Sequence, residues 1–167
     1  MRLMAMVAIA VLAAGGCSTS PSSPEASFRC TVTPSVPADK ADPSFADIQG
    51  WAFGSGPVFA VVYGATSDRI PFPTPWPDGV YAQKVPWMSR PSYAGNVSVN
   101  GRRMNAPGQA LFGVGVPSDM TALHWKFPAI NGNFQPGSAG VRSAGCYEWD
   151  VMGDGFRERI VFNATIG

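Results

Sequence analysis

Prolines and glycines are dense along this chain, sixteen and nineteen of 167 residues. Proline removes a backbone donor, so it breaks helices and is confined to the edges of sheets. A chain punctuated in this way is expected to fold as short strands joined by many turns, not as a helical bundle. Its length suits one domain with a real core. Charged residues make up only 14% against 46% apolar residues, a balance that would suit a membrane chain. Beyond the first residues, however, no stretch reaches the ~18 apolar residues that a spanning helix needs.

Several runs alternate with the period of two that a half-buried strand requires. Phe28, Cys30 and Val32 alternate with Arg29, Thr31 and Thr33. Val58–Tyr63 is a continuous apolar run bounded by Gly56-Pro57 and Gly64, the pattern of a central strand buried on both faces. Val80–Val85 is a weaker strand. Val97 and Val99 lead into Asn100-Gly101, a strong hairpin signal, which would leave Arg102-Arg103 as an exposed basic tip. Ala110, Phe112, Val114 and Val116 share one face, and Leu123, Trp125 and Phe127 alternate with His124 and Lys126. Tyr147, Trp149 and Val151 alternate with Glu148 and Asp150; Met152-Gly153-Asp154-Gly155 turns the chain, and Ile160, Phe162, Ala164 and Ile166 return. The prediction is an all-β, antiparallel fold of roughly eight or nine strands, without internal repeats.

The first residues differ in character. Met1-Arg2 supplies a positive start, and Leu3–Ala14 is an uncharged apolar run of signal-peptide length. Small residues Ala14-Gly15-Gly16 precede Cys17. This arrangement resembles the bacterial lipoprotein signal, the lipobox, in which the cysteine is acylated and becomes the new N-terminus; the family favours leucine where Ala14 stands. The alternative is an ordinary secretory signal cut nearby, leaving a soluble protein. Ser18–Pro24 is rich in serine and proline, a composition that makes a flexible to semi-extended tether. The expected organisation is a signal peptide over 1–16, a tether over 17–27 and a single β-sandwich over 28–167. The resemblance implies export and association with a membrane through the lipid on Cys17, facing the periplasm or the cell exterior.

In an oxidising compartment the remaining pair, Cys30 and Cys146, is expected to form a disulfide, with two buried thiols as the alternative. On chain-entropy grounds a loop of that length is worth ~4 to 5 kcal/mol. His124 is the only histidine, and no closely spaced cysteines accompany it, so neither a metal nor a cofactor is expected. Twelve Lys and Arg stand against eleven Asp and Glu, and Arg2 leaves with the leader. That balance gives no electrostatic case for nucleic acid.

The closing segment carries a second resemblance. Gly145-Cys146-Tyr147-Glu148-Trp149, a Gly-Asp-Gly turn and a last strand resemble the final hairpin of bacterial immunoglobulin-like sandwiches. They also resemble the ending of uncharacterised exported lipoproteins, in which a Gly-Cys-Trp/Tyr-Glu segment precedes the last strand. The likeness runs from Gly145 onward and implies an immunoglobulin-like β-sandwich. Antibody domains place a tyrosine two residues before the second cysteine, where this chain has Ala144. If Tyr147 and Trp149 face the core, alternation turns Cys146 outward. The disulfide would then staple the N-terminal segment onto an outer face.

Catalytic motifs are lacking: there is no nucleophile elbow, phosphate loop, dinucleotide fingerprint or HExxH. His124 is expected to face solvent. Glu148 and Asp150 share a strand face ~6.6 Å apart by strand rise, a separation that would suit glycoside hydrolysis or, with Asp154, Ca²⁺; a solvated strand face is the plainer alternative. The sequons at Asn96 and Asn163 are taken as chance matches. The most distinctive segment is Ile70-Pro71-Phe72-Pro73-Thr74-Pro75-Trp76-Pro77. Its alternating prolines predict a stiff extended course that either presents Phe72 and Trp76 as a binding loop or caps the core with them. Three functions follow: a lipid-anchored envelope binding or structural module without catalysis, a glycan-binding domain using exposed Phe72, Trp76 or Trp87, or a hydrolase using Glu148 and Asp150. The partners expected are the membrane and an envelope protein or glycan.

Overall fold

The structure is a computed structural model that describes residues 28–113, 122, 124–130, 132 and 134–167. The leader, Cys17, the tether, Val114, Val116 and Leu123 lie outside the described residues. In chain order the strands are β1 (Ser35–Pro37), β2 (Trp51–Phe53), β3 (Val58–Val62), β4 (Arg69–Phe72), β5 (Thr74–Trp76), β6 (Val80–Lys84), β7 (Trp87–Ser89), β8 (Ala94–Arg103), β9 (Leu111–Gly113), β10 (His124–Ile130), β11 (Phe134–Gln135), β12 (Ser138–Val141), β13 (Gly145–Gly153) and β14 (Phe156–Ile166). The only α-helix among the described residues is the single turn α1 (Ala38–Ala41).

The fold is all-β and almost wholly antiparallel. One layer holds the long strands in the order β10-β8-β13-β14-β4, and only β4 runs parallel to its neighbour, β14. The facing layer consists of two sheets, β1-β2-β3-β7-β11 and β5-β6-β12-β9. They meet where the chain bends: β6 continues into β7 across Val85-Pro86, and β11 into β12 across Pro136-Gly137. The Val85 N–H donates to the Gly137 carbonyl at 2.9 Å across that bend. Each of these bends divides one run into two short strands, which accounts for two of the fourteen strands among the described residues, where eight or nine are expected from the sequence.

A single core fills the space between the layers, with Trp87, Trp149, Tyr147, Phe53, Phe72, Phe112 and Phe162 at its centre. The all-apolar β3 lies between β2 and β7 and is buried throughout, as the unbroken run predicts, except that the run's last residue, Tyr63, falls outside the strand and is exposed. Val58, Ala60 and Val62 face the central core, while Phe59 and Val61 join Phe45, Ala38, Ala52 and Met88 in a second cluster under α1. Alternation also holds in β10, where Trp125 and Phe127 are buried and His124 and Lys126 are exposed.

Three local expectations are corrected. Asn100-Gly101 does not turn; β8 runs straight through it and pairs with β13 from Gly153↔Val97 to Tyr147↔Arg103. Glycine is required there for close approach, because a Cβ on Gly101 would lie 2.5 Å from the Ala110 Cβ and 3.1 Å from Trp149 Cδ1. Arg102 and Arg103 are therefore strand residues, not a loop tip. Residues 28–34 form no regular strand; they run beside β14, where the Thr33 N–H donates to the Val161 carbonyl at 2.9 Å. The last hairpin forms as expected, β13 against β14, with its turn at Asp154-Gly155 and Gly155 at φ +81°.

Candidate functional site

The proline-rich segment is not a projecting loop. It forms two edge strands, β4 in one layer and β5 in the other, the positions where a sheet tolerates proline. Ile70 and Phe72 alternate inward and are fully buried, with Phe72 stacked on Phe162 at 6.3 Å between ring centroids. Phe72 is thus a core residue and is unavailable to a partner, which corrects the paired-presentation reading. Trp76 is half-buried against Val80, Ala82 and Leu111. Trp87 is 1% exposed and packs on Trp125, Phe127 and Trp149. The remaining tryptophan, Trp51, is half-buried as well. Phe72 and Trp87 are therefore closed to a glycan, and Trp76 is the one of the three candidates left partly exposed.

The outer face of the long-strand layer is different. Because Tyr147, Trp149 and Val151 point into the core, Cys146, Glu148 and Asp150 point away from it. Cys146 is bridged to Cys30, which fastens the N-terminal segment over this face. Strand register supplies the neighbours. Glu148 lies opposite Arg102 of β8, and Asp150 lies between Asn100 of β8 and Arg159 of β14, with Arg157 two residues from Arg159 on the same face. The side chains form a charge lattice. Arg102 Nε donates to Glu148 Oε1 at 3.3 Å, and Arg159 Nη2 donates to Glu148 Oε2. Arg157 grips Asp150 through two bonds of 2.8 Å each.

Depth separates the two signs of charge. The Glu148 and Asp150 side chains are 5% and 20% exposed, whereas Arg102, Arg157 and Arg159 are 63%, 67% and 56% exposed. The carboxylates form a floor and the guanidiniums a rim. Burial alone would raise the Glu148 carboxyl, but hydrogen bonds and charge from Arg159 and Arg102 outweigh it and hold the group below its ordinary value. Asp150 is held low mainly by its hydrogen bonds to Arg157. Asn100, Gln109 and His124 complete the lining of a concavity of about 860 Å³ over this lattice.

Glu148 and Asp150 thus meet on one face, as alternation predicts, and the arginines beside them hold both carboxyls below their ordinary values. Asp154 does not join them: it sits on the hairpin turn and accepts the Asn96 N–H at 3.0 Å. Among the described residues no group of three or more His, Cys, Asp or Glu is placed to hold a metal ion. Arg157, Arg159, Asn100 and Gln109 are the site residues that periodicity alone did not single out. The signal for the two arginines was present, since pairing across an Asp-Gly turn puts them on the Glu148 face.

No family model matches the chain, and no curated protein matches it. Among solved structures, a family 123 glycoside hydrolase from Clostridium perfringens, studied for glycolipid glycan hydrolysis, is similar over part of its length. The match is 12% identical with a TM-score of 0.35, and it covers 62% of this chain and 23% of that one. The chain spans less than a quarter of that enzyme, and so distant a likeness carries no functional meaning here.

Proposed function

We propose that this protein is an exported envelope module, tethered by a lipid on Cys17, that binds a partner on the outer face of its long-strand layer and catalyses no reaction. The observation that carries the reading is the layering of charge on that face. Arginines held over a buried and a half-buried carboxylate form an ordered polar surface whose rotamers are set before a partner arrives, which lowers the entropic cost of binding. The same pairing favours both carboxyls as anions, and neither is raised toward the range of a general acid. The leader and the Ser/Pro tether support the anchor, and the cysteine pair suits an oxidising compartment.

The test has two arms. The wild-type chain is expected to fractionate with membranes and to carry lipid by mass spectrometry, and Cys17→Ser is expected to release it. The released protein should still co-sediment with washed envelope fragments. A wild-type chain without lipid defeats the anchor, and a Cys17→Ser protein that leaves the fragments untouched defeats the binding module.

A further inference from the structure

We infer that the concavity over Glu148 and Asp150 is a binding site for an acidic saccharide, one bearing carboxylate or sulfate groups along a hydroxylated chain. The inference rests on the binding-module reading and names its ligand class. By formal charge the lattice holds three arginines and two carboxylates, a small surplus. What a ligand meets is more positive than the sum, because the carboxylates lie beneath and the guanidiniums are more than half exposed. Each arginine keeps unused donors. Arg102 and Arg157 bond the floor through Nε and Nη2, and Arg159 through Nη2, so Nη1 of all three has no hydrogen-bond partner among the described residues. Guanidiniums already oriented by a carboxylate are suited to paired hydrogen bonds with an incoming oxyanion.

Size and lining select among anions. A volume of about 860 Å³ falls within the span of small-ligand sites and exceeds the needs of a single inorganic ion. Asn100, Gln109 and His124 stand beside the arginines and offer further donors and acceptors that match hydroxyl groups. An acidic peptide fits poorly. Peptides add to sheet edges or seat apolar anchors in pockets, but β13 is paired on both sides, by β8 and β14, and polar side chains line the concavity.

The experiment uses the full chain purified in detergent, passed over immobilised polygalacturonate, dextran and polyglutamate at low ionic strength. Retention is expected on polygalacturonate alone, and it should weaken as salt rises because the contacts are solvent-exposed charges. Arg102→Gln/Arg157→Gln should reduce that retention at least tenfold in a chain that still unfolds cooperatively, since Arg159 stays to pair Glu148 and Asp150 keeps access to solvent. Arg157→Gln alone provides a milder variant should the double one fail to fold, and a severalfold loss is expected from it. The proposal is overturned by no retention of the folded wild type, by retention on dextran, by retention indifferent to the variants, or by polyglutamate holding the chain as well as the polyuronate. Failure on every polymer while the Cys17→Ser protein still sediments with envelope fragments rejects the ligand class and leaves the module reading intact.

Discussion

Strand β13 shows two different modes of stabilisation on its two sides. Inward, Tyr147, Trp149 and Val151 are buried among Trp87, Phe162 and Ile160, and Trp149 lies 4.3 Å from the Phe162 ring centroid. Outward, Cys146, Glu148 and Asp150 form one covalent bridge and two sets of ion pairs. Volume and shape govern the first side, as in any close-packed interior. Covalent topology and pH govern the second. Residues one position apart therefore answer to different variables, and perturbing them separately tests the contrast.

The largest effect is expected on the inner side. Trp149→Ala should destabilise by about 4 kcal/mol, the loss typical of a fully buried aromatic, seen as a fall in the denaturant midpoint. A loss below about 1 kcal/mol, the level of an exposed site, would show that the inner face does not depend on packing. Next comes the bridge. Cys30→Ala/Cys146→Ala should lower stability by about 3 kcal/mol, because the variant regains the freedom of a loop spanning 116 positions and measured bridges fall short of the chain-entropy value. An unchanged melting temperature in the double variant would remove the covalent contribution from the outer side.

The smallest effect carries the sharpest signature. Glu148→Gln should cost about 1 to 2 kcal/mol at neutral pH, a charge-assisted hydrogen bond discounted for partners that solvent screens. Both outer carboxyls are held below their ordinary values of 4.5 and 3.8. Their contribution is complete above those values and is lost as pH falls through the lower folded ones. The gap between wild type and Glu148→Gln should therefore be steady from pH 7 down to about 5 and shrink with further acidification. A gap independent of pH would assign the loss to packing. Trp149→Ala should show no such pH dependence.

Local pattern revealed some of this and concealed the rest. The doubly buried β3, the final hairpin, the outward turn of Cys146 and the shared face of Glu148 and Asp150 follow from period and turn chemistry within one or two strands. Asn100-Gly101 misled because its glycine serves Ala110 and Trp149, contacts with a neighbouring segment and with the next strand of the layer. Phe72 was left open between presentation and the core, because its prolines describe a stiff backbone but not which side of it meets Phe162, ninety positions away. Arg102 was hidden for a related reason: it belongs to β8, and only register across β13 brings it over Glu148, whereas Arg157 and Arg159 follow from the local hairpin.

The bridge at Cys30 also sets a path for mechanical force. A pull on the chain ahead of Cys30 passes through the sulfur link to Cys146 and enters the sheet at β13, a strand flanked on both sides. Residues 31–145, with strands β1 to β12, sit inside the covalent loop and are bypassed by that tension. A domain held by a tether at this end would be hauled by an interior strand gripped along its length by β8 and β14, so the segment over residues 31–37 would be shielded from peeling away under shear.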